Sequence, residues 1–222
     1  MNPKTLKLIY QPTIRQAAFA GLAGRSRDRT QPARGRFTRE DVQSILDEVW
    51  MKYERLASRV PVQPSLGNQM NLLLSCITLC CFQTMLESGV ERGYAIELIG
   101  DMAWKIYEKW GAIPITLARL HKHNPRDQMR FAVNAFLRFP FSPPGYLLER
   151  LPSDDGISFN IKRCVVAEYF RGQGAADLCV GTWCDLDFAL AEMWGGWLER
   201  TETLASGGPS CGFRFKAPTP NA

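Results

Sequence analysis

The segment from Met70 to Ser88 is apolar on nearly every side when it is wound as a helix. A helix on the surface of a protein has a single apolar stripe, so a helix that is apolar all round has to be enclosed by other elements. Ser75 and Thr78 interrupt its longest apolar run, which leaves that run too short to span a bilayer, and Gly89 follows as a stop. The segment therefore predicts the central helix of a bundle.

A helix that packs on this core is predicted to begin after Thr38. Asp41 follows three residues later, where it can complete a capping box, and Phe37 and Val42 occupy the positions of a hydrophobic staple. Apolar residues then recur at helical spacing from Val42 to Leu56. This helix is expected to bury one face.

In the rest of the chain the apolar residues recur at helical spacing at first and alternate as in strands after Gly145. A helix is predicted from Glu91 to Trp110 with Gly111 as its stop, and two shorter helical pieces follow, divided at Pro125. Beyond Gly145, the runs "YLLERL" and "ISFNIKR" alternate as strands do, around the turn "PSDDG".

The last third is predicted to hold two more helical stretches and a closing hairpin. The helices cover about residues 164–171 and 175–194. The stretch from Arg200 to Phe215, "RTETLASGGPSCGFRF", has two alternating runs around a turn of small residues, which is typical of a β-hairpin. The predicted fold class is α+β, an N-terminal helical bundle packed with a small antiparallel β-sheet and its helices.

The positive charge of the chain is concentrated near its N-terminus. The net charge is +5, yet residues 1–40 hold nine Lys and Arg against two acids. Ser, Thr, Gln, Pro and Gly space these arginines, a composition that buries little apolar area. Residues 1–37 are therefore predicted to form a flexible basic arm. Contact with nucleic acid is the less favoured alternative, because almost no aromatic residues accompany the charge. Residues 38–217 are expected to form a single domain, with a helical part over 38–139 and a sheet-containing part over 145–217.

The cysteines indicate a reducing compartment. Seven occur in a chain whose N-terminus shows no secretory signal, which predicts a cytoplasmic location. No CxxC pair is present, and His121 and His123 lie two residues apart, where a helix points them in different directions. We therefore expect no metal site and no cofactor.

Candidate reactive groups gather in the last third of the chain. Cys184 and Asp187 are three residues apart and so share one face of a helix predicted to begin near them. A helix N-terminus favours a thiolate, which makes Cys184 the first candidate nucleophile. The competing interpretation is that Cys184 is a buried, inert thiol and Asp187 an acid that suits a first helical turn. Cys164, at the end of an earlier strand, is a further candidate.

The predicted hairpin adds a thiol, two hydroxyls and two guanidiniums. Strand alternation places Cys211 on the face opposite Arg214, and it places Thr201 and Thr203 on the face opposite Arg200. Strand propensity alone also accounts for threonines and solvated arginines.

These groups occur in a recognisable order. The strand ending in "RC" at Cys164 is followed by "AEYFRGQG", by a CxxD arrangement at Cys184 and Asp187, and by the closing "RTETLASGGPSCGFRF". Upstream lie "RVPVQPSLGNQMN" and "ESGVERGYAIELI". The series resembles the L-2-amino-thiazoline-4-carboxylic acid hydrolase family, whose closing signature is RTxTxxxG...CxFR, over roughly residues 38 to 216.

The resemblance implies an enzyme that hydrolyses a C–N bond of a small cyclic carboxylate. The family's named reaction converts an aminothiazoline carboxylate to an N-carbamoyl cysteine. Under this hypothesis Cys184 or Cys211 is the nucleophile and Asp187 is the base or the group that orients it. Thr201 and Thr203 are expected to donate hydrogen bonds.

The resemblance also implies a site for the substrate carboxylate. Arg200 or Arg214 is expected to bind it, since a planar guanidinium fits two oxygens, and Cys164 is placed in the same site. The chain departs from the family at Gly212, where relatives commonly carry an acid. If that acid acts in catalysis, altered chemistry is expected here.

Several alternatives stay open at this point. A relative of the family could catalyse cyclisation, isomerisation or elimination in small-molecule metabolism. A non-catalytic binder could use the same pocket, with Trp183, Trp194 and Trp197 lining it. Metal-dependent hydrolysis would use the thiols and the carboxylate as ligands. The expected partner is a small molecule rather than nucleic acid or a membrane, and a homo-oligomer is compatible with the sequence.

Overall fold

Helices fill the first two thirds of the protein, and a small antiparallel sheet with further helices fills the last third, as predicted for the α+β class. The computed structural model describes residues 1–218. The elements are α1 (Pro3–Leu22), α2 (Arg39–Leu56), α3 (Leu66–Glu87), α4 (Arg92–His121), α5 (Pro125–Arg138), β1 (Tyr146–Leu151), β2 (Gly156–Cys164), α6 (Val165–Gly172), α7 (Ala176–Cys179), a π-helical turn (Val180–Cys184), α8 (Leu186–Met193), β3 (Trp197–Glu199) and β4 (Cys211–Lys216).

Helix α3 is the core of the bundle, which confirms the expectation from its composition. It packs against α2, α4 and α6, and only a few of its residues reach the surface. Its length and composition would allow it to cross a membrane, but 78% of that stretch is buried inside the protein. This burial is that of the central helix of a bundle.

The start of α2 is also confirmed. The Thr38 hydroxyl accepts a hydrogen bond from the Asp41 N–H at 3.1 Å, and the Asp41 carboxylate accepts one from the Thr38 N–H at 2.8 Å. This is the reciprocal capping box. Phe37 and Val42 are both buried at the helix entrance.

Helix α4 does not end at Gly111 but continues to His121. A Cβ at position 111 would overlap the ends of Leu190 and Met193, so this glycine allows α8 to approach α4 closely. Tertiary packing thus explains a residue that looks like a stop in the sequence.

The prediction of a flexible arm over residues 1–37 is wrong. Residues 3–22 form helix α1, and the Tyr10 ring stacks on Trp110 of α4 with 6.5 Å between the ring centroids. Nearby arginines form ion pairs: Arg25 with Asp101 at 3.1 Å, and Arg29 with Glu97. The arginine-rich composition concealed an apolar stripe at every fourth position, which packs on the bundle: Leu6, Tyr10, Ile14, Ala18 and Leu22.

The four strands form one antiparallel sheet in the order β1-β2-β4-β3. Its inner face, which includes Phe159 and Phe215, packs under α4, α5 and α8. The predicted hairpin is only partly correct, because its first strand ends at Glu199 and residues 200–210 form a loop before β4. The chain leaves the sheet at Arg200, whose side chain turns toward α8.

Candidate active site

A cavity lies between the inner face of the sheet and the helices that cover it. It contains about 800 Å³ of space free of protein atoms, part of it open to solvent. Phe159 of β2 and Phe213 of β4 line it from the sheet, and Tyr107 of α4 and Phe136 of α5 line it from the helices. Apolar and aromatic side chains predominate, with a few polar groups among them, as in pockets that bind small organic ligands.

Arg200 organises the polar part of the cavity. Its Nη1 donates a hydrogen bond to Asp187 Oδ2 at 2.7 Å, and its Nη2 donates one to the carbonyl oxygen of Cys184 at 2.7 Å. Its guanidinium carbon lies 4.9 Å from the ring centroid of Phe188 and 5.0 Å from that of Phe213. The two rings and the two acceptors hold this cation in place although its side chain is only 3% exposed.

Asp187 is a buried carboxyl group whose pKa is raised. Burial raises the pKa of Asp187 to about 6, against the opposing attraction of Arg200. For Arg200 the balance is reversed: burial lowers its pKa, but the attraction of Asp187 outweighs burial and leaves that pKa above its ordinary value. A carboxyl with a raised pKa is suited to exchanging a proton with a bound ligand.

Four cysteines line the cavity, and the pKa is raised for Cys164, Cys179 and Cys211. Burial raises the pKa of Cys211 to about 11, although the Leu204 N–H donates a hydrogen bond to its sulfur at 3.2 Å. Burial also raises the pKa of Cys164. A hydrogen bond to Cys184 is the larger cause that raises the pKa of Cys179, and burial raises it further. Cys184 accepts that hydrogen bond and is only half-buried.

Cys184 lies in a π-helical turn and not at the free start of a helix, so that part of the prediction is wrong. The Asp185 N–H donates to the carbonyl oxygen of Val180 at 3.0 Å, which carries helical bonding through this region. The i→i+5 spacing of the turn brings Cys179 beside Cys184. Cys184 and Asp187 nevertheless both line the cavity.

A β-bulge turns Cys164 toward the cavity. Leu148 pairs with Ile161 and Leu147 pairs with Arg163, so these two residues of β1 match three residues of β2, 161–163. The extra residue reverses the alternation of β2, and Ile161 and Cys164 therefore point to the same side. Both line the cavity.

Two tyrosines in the cavity were not among the predicted site residues. Burial, reinforced by the charges of Asp187 and Cys184, raises the pKa of Tyr107 well above its ordinary value. Burial does the same for Tyr146, whose hydroxyl accepts a hydrogen bond from Asn71 at 2.9 Å. Both remain protonated and can donate hydrogen bonds to a ligand. In the sequence both fit apolar positions, and only the use of tyrosine in place of phenylalanine marked them.

Three predicted site residues lie outside the cavity. Thr201 is exposed, and the buried Thr203 forms a turn in which its hydroxyl lies 3.1 Å from that of Ser206. Arg214 is on the outer face of the sheet, where it donates to the carbonyl oxygen of Phe159 at 3.1 Å. For the two threonines the cause is the loop over residues 200–210, which replaces the predicted strand and breaks its alternation. Arg214 lies in β4, where regular alternation places it on the face opposite Cys211. The expected donor roles of Thr201 and Thr203 and the carboxylate-binding role of Arg214 are therefore corrected.

Gly212 also lies on the outer face. A Cβ at this position would lie 3.6 Å from Asn160 Oδ1 and 3.8 Å from Arg214 Nη1, both ordinary contacts. An acid at position 212 would thus face Arg214 and not the cavity. The departure from the family pattern leaves the lining of the cavity unchanged.

Comparison with known proteins identifies the family. A sequence model of L-2-amino-thiazoline-4-carboxylic acid hydrolase matches residues 77–215, which is more than half of the chain. The chain belongs to this family. The match includes all the cavity residues described above, from Tyr107 to Phe215, but not α1 or α2. No curated protein and no solved structure matches the chain, so membership of this hydrolase family is what the comparisons establish.

Proposed function

We propose that this protein is a hydrolase-like enzyme that opens a C–N bond of a small cyclic carboxylate, of the aminothiazoline or lactam type, with the help of a thiol. One observation carries the proposal: Cys184, Asp187 and Arg200 line one cavity, and Arg200 donates hydrogen bonds to Asp187 and to the Cys184 carbonyl oxygen. Family membership supports a hydrolase of this kind.

Cys184 is the proposed nucleophile and Asp187 its base. Asp187 takes the proton of the Cys184 thiol as the sulfur forms a bond to the ring carbon. In a lactam-type substrate the ring C–N bond then breaks, and the departing nitrogen takes the proton from Asp187. In an aminothiazoline carboxylate, formation of an N-carbamoyl cysteine requires the ring C–S bond to break instead, and the departing sulfur takes that proton. A water molecule adds to the same carbon, the C–S bond breaks, and the proton lost by the water returns to the sulfur through Asp187. One water is consumed, and the enzyme is restored.

Arg200 and the two tyrosines are proposed to stabilise the bound ligand. Arg200 is the one cationic side chain lining the cavity within residues 1–218, so it is the proposed attractor of a substrate carboxylate. The hydroxyls of Tyr107 and Tyr146 are proposed hydrogen-bond donors to the charge that develops on the ring. Cys211 and Cys164 are assigned to the wall of the binding site.

Single substitutions of the thiols test this assignment. With L-2-amino-thiazoline-4-carboxylate and related cyclic amides as substrates, the product is detected by mass as the substrate plus one water. Cys184→Ser should lower kcat by about a thousandfold or more, as loss of a nucleophile does. Cys211→Ser should have a smaller effect, and Cys76→Ser, in the core of α3 and outside this cavity, should have none. Wild-type rates in both Cys184→Ser and Cys211→Ser would end the thiol proposal.

A non-catalytic binder is the second candidate. It is favoured by the mostly apolar wall and by the raised pKa values of Cys164, Cys179 and Cys211. Rapid alkylation of Cys184 at neutral pH would favour the enzyme, whereas uniformly slow thiols would favour the binder. A product with the same mass as the substrate would indicate isomerisation or ring rearrangement instead of hydrolysis.

A metal-dependent route is not favoured by the donor set. Among the side chains of residues 1–218, no three His, Cys, Asp or Glu groups are arranged to hold one metal ion. We also propose a cytoplasmic location, since all seven cysteines are free thiols.

A further inference from the structure

A second cavity lies inside the helical bundle. It contains about 880 Å³ of space free of protein atoms, part of it open to solvent, between α1, α2, α3, α4 and the π-helical turn. We call it the bundle cavity and define it by Ile14, Ala17, Ile77, Cys81, Met102 and Ala103, with Tyr107 and Trp183 at one end.

The bundle cavity adjoins the candidate active site. Tyr107 and Trp183 line both spaces and form the partition between them. The indole Nε1 of Trp183 donates one long hydrogen bond, 3.3 Å, to the Thr78 hydroxyl. A ligand that reaches from one space into the other would therefore pass beside these two side chains.

The chemistry of the bundle cavity selects for an apolar group. No charged side chain lines it within residues 1–218. Thr182 donates its hydroxyl proton to the carbonyl oxygen of Leu178 at 2.5 Å, and Thr78 donates to that of Leu74 at 3.1 Å. Both threonines are satisfied by the backbone. A charged group placed here would lose its hydration without compensation, whereas an apolar cavity of this kind accepts hydrocarbon readily.

We propose that the bundle cavity binds an uncharged apolar extension, an alkyl chain or an aryl ring, of the ligand whose polar end lies beside Arg200. This rests on the proposed function for the identity of the polar end. The substrate class would then be a cyclic carboxylate with a hydrophobic substituent, larger than an unsubstituted aminothiazoline carboxylate.

Neutral probes test the cavity without reference to catalysis. Ethylbenzene, propylbenzene and butylbenzene should bind the wild-type protein in calorimetry, with affinity rising about fourfold for each buried methylene. Ala17→Phe fills the bundle cavity from α1, and Ala20→Phe is its control on the exposed side of the same helix. Ala103→Leu fills the cavity from α4. It is the second cavity-filling variant and replaces Ala17→Phe in the test if that variant does not fold.

The expected result is loss of probe binding in Ala17→Phe and Ala103→Leu but not in Ala20→Phe. Arg200→Gln should still bind the probe, since the polar site is not involved. Equal affinity of all folded variants for butylbenzene, or no saturable binding to the wild type, would overturn the proposal.

A second measurement separates this proposal from the proposed function. Cyclic carboxylates with substituents of increasing length should show rising kcat/KM in the wild type, and Ala17→Phe should remove that rise while retaining turnover of the shortest substrate. Specific probe binding without turnover of any such compound would refute the proposed function alone. Turnover that is independent of chain length, without probe binding, would refute the bundle-cavity proposal alone.

Discussion

The pH dependence of stability at Asp187 tests the electrostatics of the site. Burial raises the pKa of Asp187 to about 6 from its ordinary 3.8, and the side chain is only 19% exposed. Asp187→Asn removes the titration while keeping the shape and an oxygen that can accept from Arg200. The comparison of the two proteins therefore isolates the ionisation of one carboxyl.

The sign and size follow from proton linkage. A carboxyl whose pKa is raised in the folded protein contributes stability that is fully present below the unfolded pKa. This stability is lost as the pH rises through the folded pKa. A difference of about 2 pH units at 1.36 kcal/mol each gives about 3 kcal/mol. Part of this stability is already lost at pH 4, so between pH 4 and pH 8 the free energy of unfolding of the wild type should fall by about 2.5 kcal/mol relative to Asp187→Asn.

Urea denaturation at intervals across this pH range measures the difference. Asp177→Asn is the control, because the hydrogen bond from Arg92 lowers the pKa of Asp177. The stability that Asp177 contributes is lost only as the pH falls below about 4, so its difference should be nearly flat from pH 5 to 8. A wild-type advantage over Asp187→Asn that grows with pH would refute the reasoning. It would mean that the attraction of Arg200 exceeds the effect of burial.

Three further predictions concern the sheet and the thiols. Gly156→Ala should lower the free energy of unfolding by about 1–3 kcal/mol in urea denaturation, because a Cβ there would overlap the carbonyl oxygen of Phe215. Gly212→Ala, whose Cβ would make only ordinary contacts on the same sheet, should not lower it. Gly212→Asp should form a partly exposed ion pair with Arg214, change stability by less than about 1 kcal/mol and leave kcat/KM unchanged. Lost activity would show that position 212 reaches the site. Iodoacetamide at neutral pH, followed by peptide mass mapping, should label Cys184 first; earlier labelling of another cysteine would contradict the assigned role.

The bundle was predicted well where the signal is local. The capping box at Thr38 and the all-round apolar pattern of α3 depend on residues a few positions apart, and both are confirmed. Helix α1 was missed because the arginines after Leu22 dominated the average composition. Its apolar stripe, Leu6 to Leu22, was present throughout at helical spacing.

The same distinction between local and long-range signals applies to the site residues. The three-residue spacing of Cys184 and Asp187 was visible in the sequence, and both line one cavity. The positions of Thr201 and Thr203 were mistaken, because strand alternation applies only while a strand stays paired, and this strand ends at Glu199. No local rule indicated that the chain would leave the sheet there.

The sequence by itself determined the family, the α+β class and the helices whose apolar faces had to be buried. Only the tertiary structure decided which polar groups meet. Tyr107 reaches the cavity from α4 and Arg200 from the loop after β3, and long-range packing brings both to Asp187. Periodicity specifies the face of one element, whereas a cavity is made where several elements fail to fill the space between them.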